Sequence, residues 1–148
     1  MTKEHFKIIP AVFLLLKNKN NILLLRRFNT GYQDGNYTFV SGHVEDHEMP
    51  IDAVIREAQE EANIILNKED VHLLHTMYRE ATDGMRIDLF FTVDTWIGEI
   101  KNLEPNKCDE LKWFTLDALP SNCIPFIVLL LEKLKEGISY SEVTIQHS

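Results

Sequence analysis

This sequence predicts an α/β domain in which a mixed β-sheet carries helices on two faces. Three observations lead there. The 148 residues, 45% hydrophobic and 26% charged, suit one domain with a real core. Apolar, β-favouring runs recur along the chain, and "RIDLFFTVDTWI" at 86–97 alternates only in part, as a strand well inside a sheet does. Elsewhere the period changes: Ile51, Val54, Ile55, Ala58 and Ala62 recur at spacings of three and four, the mark of an amphipathic helix facing a core. No internal repeat or low-complexity linker breaks the chain, so 1–148 reads as a single domain.

Each element follows in order. Phe6 to Leu16 is dense in apolar residues and reads as a strand, interrupted by Pro10. "KNKNN" at 17–21 is a turn and "ILLLRR" at 22–27 a second strand, which together predict a hairpin. "NTGYQDGNY" at 29–37 is a polar loop, and Tyr37 to Val40 a short strand leading into Gly42. The first helix begins at Pro50, whose missing N–H is harmless in the first turn. Met49 is a poor cap, which leaves the start to Glu48 or the preceding loop, and Asn63 suits the helix end. Val71 to Ala81 and Arg86 to Ile97 are strands around "TDGM". A long loop, "GEIKNLEPNKCDE", precedes a strand at 111–116. "FIVLLLEKLKEG" at 126–137 is a second helix closed by Gly137, and 138–148 is a last short strand or a loose tail.

Charge and composition exclude some functions. A net charge of −8 argues against polymeric nucleic acid as a partner, because replacing phosphate counterions needs a positive surface. It leaves room for a small nucleotide held by metal ions and a few arginines. Two cysteines outside any CxxC pair form no disulfide framework. "MTKEHFKIIP" lacks a signal-peptide core, and no run approaches the ~20 apolar residues of a membrane span. The expected location is the cytoplasm. The "FIVLLL" run is assigned to the core, with a homodimer interface as its alternative.

One stretch stands out chemically. Gly42 to Ile64, "GHVEDHEMPIDAVIREAQEEANI", holds seven carboxylates in 23 residues. Glu57 and Glu61, four apart, share a helix face beside the apolar arc; Glu60 lies further toward solvent. Like charges at that spacing disfavour the helix, and Arg56 offsets only part of this. Two readings compete: a solvated acidic face, or an oxygen-ligand site for Mg²⁺ with Glu48 folding in from the loop. Spacing alone leaves both standing.

The same stretch resembles the Nudix box, the signature of nucleoside-diphosphate-linked hydrolases. That pattern runs Gly, five residues, Glu, seven residues, Arg-Glu, an aliphatic residue, any residue, Glu-Glu, any residue, Gly and an aliphatic residue. Here it reads Gly42, Glu48, Arg56-Glu57-Ala58, Glu60-Glu61 and Asn63-Ile64. Asn63 replaces the final Gly, and Asn tolerates the left-handed conformation better than other side-chain-bearing residues. The element order is similar to the MutT-like branch over nearly the whole chain. The resemblance implies an α/β/α sandwich and Mg²⁺-dependent attack of water on a diphosphate linkage, with Mn²⁺ as a substitute. A nucleoside triphosphate would yield the monophosphate and pyrophosphate. ADP-ribose, nucleotide sugars and dinucleoside polyphosphates are alternative substrates; a non-catalytic nucleotide-binding domain is the alternative of a different class.

Residue roles follow from the same resemblance. Glu57, Glu60 and Glu61 match the metal-binding carboxylates, with Glu57 also the general base. Arg56 orients glutamates, and Glu48 supports the site. The Ser41 carbonyl matches a backbone metal ligand, although Ser41-Gly42 replaces the common Gly-Gly. A further ligand comes from outside the box, either Glu110 or Glu104, with Glu110 preferred. Arg27 matches a phosphate-contacting Arg, and Arg26 should point to the opposite face. "LPSNCIP" resembles a base-contacting segment in which Asn122 reads a purine edge; a turn or helix cap is the competing role. Tyr32, Tyr37 and Phe39 are the candidates for base stacking. Trp113 and Phe114 are assigned to packing, and Glu45, Asp46 and Asp52 to the surface.

Overall fold

The structure, a computed structural model, describes residues 3–148. Met1 and Thr2, part of the stretch inspected above for a leader, lie outside it. The strands are β1 (Ile8–Leu15), β2 (Lys17–Asn18), β3 (Asn21–Arg27), β4 (Tyr37–Thr38), β5 (Val40–His43), β6 (Val71–Ala81), β7 (Gly84–Val93), β8 (Cys108–Thr115) and β9 (Tyr140–Val143). The helices are α1 (Pro50–Ala62) and α2 (Pro125–Lys135).

A five-stranded mixed sheet runs β5-β1-β7-β6-β9, with β1 parallel to β7 and β6 parallel to β9. The remaining strands form a second, antiparallel sheet in which β3 pairs with β2, β4 and β8. The sequence reading put the strands at 6–16 and 22–27 into one hairpin. They are instead divided between the two sheets: the chain leaves the first sheet after Leu16, and β3 takes its ladder from β2 and β8. The expected turn survives locally, where β2 pairs with the start of β3 (Lys17 with Ile22, Asn18 with Asn21) and the Leu23 N–H donates to the Leu16 carbonyl.

Alternation explains why two helices are needed. Val12 and Leu14 of β1, and Leu16 just after it, point into a cluster with Ala53, Val54, Ala58 and Ala62 of α1. Ala11, Phe13 and Leu15 point the other way, into a cluster with Phe126, Ile127 and Leu130 of α2. β3 does the same with Leu23 and Leu25 against Ile22 and Leu24. Strands apolar on both faces require cover on both. The result is an α/β/α sandwich. Phe126, Ile127 and Leu130 fill its core, as expected for the "FIVLLL" run. Trp113 packs toward α1 and Phe114 toward α2.

Two ends position the site. Asn63 ends α1 at φ 62°, ψ 29°, a left-handed cap, and its side-chain amide donates to the Glu99 carbonyl at 3.0 Å. The loop after β7 then docks on the helix terminus: Lys101 N–H donates to the Ala62 carbonyl (3.1 Å) and Leu103 N–H to that of Glu61 (3.2 Å). Terminal carbonyls that a helix leaves free are thereby satisfied, and the loop is held beside the acidic face. At the other end of the helix, Met49 provides no side-chain cap, and neither does Glu48, which is committed elsewhere.

Candidate active site

Arg56 organises the box. Its Nε and Nη2 donate to the two Glu48 oxygens at 2.8 and 3.0 Å, a bidentate pair. Its Nη1 reaches Glu57 at 2.8 Å and Glu60 at 3.4 Å, and Nη2 also donates to the His43 carbonyl at 3.2 Å. Glu48 further accepts the Glu45 N–H at 3.0 Å, so one carboxylate ties the loop before α1 to the helix itself. Those bonds, Arg56 first, pull Glu48 down from its ordinary 4.5 to about 2, and Arg56 is pushed up in return.

This pair predicts an acid-sensitive step. With its folded-state value depressed, Glu48 adds stability that is fully present above about pH 4.5 and is lost as pH falls toward 2. Thermal melts of Glu48→Gln should show a shallower loss across that window than the parent. An unchanged slope would mean that the pair does not couple to folding.

Glu57 and Glu61 form the inner part of the site. Their carboxyls are neighbours, and burial together with the adjacent Glu57 carboxyl raises Glu61 well above the usual carboxylate range. Burial also raises Glu57, against the pull of Arg56. The Ser41 backbone lies near the Glu61 carboxyl and opposes part of that rise. Gly42 faces Glu57 so closely that a Cβ there would overlap the carboxyl group. Glu60 is more exposed and turns toward Arg56. Among the described residues, no three His, Cys, Asp or Glu side chains form a ready-made metal-binding group.

The two outer glutamates occupy different places. Glu104 sits on the loop docked against α1, close enough for its charge to act on Glu61. That loop is a built turn: Asn102 accepts the Glu104 N–H at 3.0 Å and donates to the Cys108 carbonyl at 2.7 Å. Glu110 instead shares the β8 face of Phe114, toward α2, where it accepts from the Tyr37 hydroxyl at 2.7 Å and pairs with Lys112 at 3.4 Å.

A cavity of about 550 Å³ opens beside Ser41 and Gly42. Arg27 lines it, with Nε donating to the Tyr32 carbonyl (2.6 Å) and the guanidinium 5.2 Å from the Tyr32 ring centre. Arg26 points away, pairing with Asp109 at 2.7 Å. Of the four base-contact candidates, Tyr32 lines the cavity. Tyr37 is buried against Phe114, Phe39 lies fully in the α2 core, and the Asn122 amide donates to the Gly35 carbonyl at 2.6 Å, bracing the 29–36 loop. His43, Thr38, Arg79 and Arg86 also line the cavity and had no role in the sequence reading. Arg79 is buried, bonded to buried Asp88 at 2.6 Å and stacked 4.0 Å from the Phe126 ring centre. An Arg and an Asp on apolar neighbouring strands were the available signal. A threonine in a strand gives none.

Comparison with known proteins agrees with this geometry. The NUDIX domain family pattern matches residues 7–131. The chain is 29% identical to an 8-oxo-dGTP diphosphatase of Escherichia coli, over 84% of this chain and 96% of that one. It is also 29% identical to an ADP-ribose pyrophosphatase of Methanocaldococcus jannaschii, over 81% of this chain and 70% of the other. Among solved structures, a MutT NUDIX hydrolase from Burkholderia pseudomallei superposes with a TM-score of 0.78 at 25% identity, covering 87% of this chain and 99% of its own. No helix among the described residues is long and apolar enough to cross a membrane. The chain belongs to the NUDIX family, on its MutT-like side, and is a hydrolase of phosphoanhydride bonds in nucleotide-like substrates.

Proposed function

We propose that this protein is a metal-dependent pyrophosphohydrolase that cleaves a nucleoside triphosphate, with oxidised or modified purines among its substrates, to the monophosphate and pyrophosphate. The observation that carries the reading is the buried Glu57–Glu61 pair set against Ser41–Gly42 at the mouth of a cavity lined by Arg27. Two of the curated relatives are 8-oxo-dGTP diphosphatases, which favours a triphosphate substrate. The M. jannaschii relative supports ADP-ribose as the second reading.

The residues fit Mg²⁺, or Mn²⁺ in its place. The donors are oxygens only, and two carboxyls in contact are favourable for a cation that relieves their repulsion. Mg²⁺ usually binds through one or two carboxylates and substrate phosphates, so a closed protein cage is not needed. Glu57, Glu61 and the Ser41 carbonyl would hold it, with Glu60 and Glu104 at the edge. Bound there, the ion would supply charge stabilisation on the phosphates and a more acidic water.

The chain's own groups do the rest. Glu57, raised by burial, accepts the proton of the attacking water. Arg56 holds that carboxyl in place at 2.8 Å, and Glu48 holds Arg56. Arg27 contacts a phosphate from the cavity wall. Its two bonds to the Tyr32 carbonyl and the Thr30 hydroxyl leave other donors for that contact.

Glu104 rather than Glu110 is the proposed outer ligand, because its charge acts on Glu61 while Glu110 is engaged by Tyr37 and Lys112. Glu104→Gln should therefore raise the Mg²⁺ concentration for half-maximal rate by about tenfold. Glu110→Gln should leave it unchanged, and the reverse result would reassign the ligand. Turnover of canonical and oxidised nucleoside triphosphates, measured beside ADP-ribose and dinucleoside polyphosphates, tests the substrate class. Faster cleavage of ADP-ribose than of any triphosphate would replace the first reading by the second.

A further inference from the structure

We infer that Asn63 is a positioning residue: its side chain straps the loop that carries Glu104 to the end of α1, and so sets the outer oxygen ligand beside the glutamates of the helix. The inference deepens the proposed reading and rests on it, since Glu104 is the outer ligand only there. Asn63 stands where the box pattern has Gly. Its backbone is left-handed, and its N–H donates to the Gln59 carbonyl at 3.2 Å, as that of Ile64 does to the Ala58 carbonyl at 3.4 Å. Gly takes that conformation more easily than Asn does, so the turn gives no reason for a side chain. The side chain has a use of its own. Its amide donates to the Glu99 carbonyl at 3.0 Å, a bond that Gly could not make.

That bond falls in the middle of a ladder. Ile65 and Ile97 exchange backbone bonds at 2.8 and 3.0 Å. Further along, the Lys101 N–H reaches the Ala62 carbonyl and the Leu103 N–H that of Glu61. The loop thus runs antiparallel to 61–65, and Glu104 follows directly on its last bond. Between the two anchored parts lie residues 98–100. There the Asn63 amide makes the one hydrogen bond among the described residues.

Gly98 shows why this span needs a tie. It has φ +103°, and a Cβ there would stand 2.8 Å from the Asn63 carbonyl. Glycine lets the loop come that close, and the same freedom lets it swing. The Asn63 amide closes the swing on the next residue. On the other side, Asn102 ties the Glu104 turn to the Cys108 carbonyl of β8. Glu104 is therefore held from β8 by one Asn and from α1 by the other. Glu57, Glu60 and Glu61 all ride on α1, so the tie to α1 fixes the distance between the two halves of the ligand set. Bonds that orient a ligand from behind tune metal affinity.

The test uses the full chain as wild type, Asn63→Gly, Glu104→Gln and the double variant. Each is titrated with Mn²⁺ alone, and free ion is read by electron paramagnetic resonance. Amide hydrogen exchange on the metal-free proteins accompanies it. Asn63→Gly keeps the left-handed turn and removes only the amide, so the fold should hold. It should raise the Mn²⁺ Kd about three- to tenfold and speed exchange at the Lys101 and Leu103 N–H groups by a similar factor. In the Glu104→Gln background it should add no further change in Kd, because the two residues act through one ligand. Mn²⁺ binding by Asn63→Gly equal to that of wild type overturns the inference and leaves Glu104 as the ligand. Effects that multiply in the double variant overturn it too, because Asn63 would then act by another route. Wild-type affinity in Glu104→Gln, or no Mn²⁺ binding by wild type, overturns the outer-ligand reading and the inference together.

Discussion

Replacing Glu57 by Gln should lower kcat by about 10²–10⁴-fold and leave the fold intact. The amide has the shape of the carboxyl but cannot take a proton from water. It can still accept from Arg56 Nη1, which sits 2.8 Å from Oε1, and its NH₂ can donate toward Glu61. The like-charge contact between the two glutamates disappears at the same time. Tm should therefore hold or rise while turnover collapses. Steady-state rates and melts on the same preparation check this, and a rate within twofold of wild type would remove Glu57 as the base.

Gly42→Ala should have the second largest effect, and for a reason of space. Gly42 pairs with Val12 in the ladder between β5 and β1, and its backbone is not in the left-handed region. Its hydrogen side meets the Glu57 carboxyl, where a methyl group would overlap. Either the carboxyl moves or β5 lifts from β1. Overpacking of this kind costs about 1–3 kcal/mol. A displaced catalytic group loses about 10²-fold in rate. Gly137→Ala supplies the contrast. Gly137 has φ +73° and open space around it, so Ala there should cost ~1–2 kcal/mol of stability without touching kcat. Comparable kcat values for the two variants would mean that the Gly42 contact does not shape the site.

Local chemistry was legible in the sequence; long-range chemistry was not. Helical spacing marked α1 from the apolar arc, and Asn63 announced its left-handed end. The resemblance implies that Arg56 orients glutamates; that Glu48 is its bidentate partner is seen only in the fold. By contrast, nothing in "FLLLKNKNNILLLRR" says that the chain changes sheets at Leu16, because both sheets demand the same doubly apolar strands. Glu104 and Glu110 look alike in the sequence. What separates them is a loop docked on the carbonyls of Glu61 and Ala62 and the alternation of β8, both tertiary facts. Tyr37 and Phe39 read as base-stacking candidates because they follow the polar early loop. Yet both are buried, Tyr37 within β4 and Phe39 between β4 and β5.

The central claim is metal-dependent water attack that splits a nucleoside triphosphate into monophosphate and pyrophosphate. Product analysis of purified protein with GTP and 8-oxo-dGTP, in Mg²⁺ and again after chelation, tests it most directly. Pyrophosphate and the monophosphate should appear in equal amounts with Mg²⁺, and neither should appear after chelation. Release of orthophosphate and a diphosphate, or turnover that survives chelation, would contradict it.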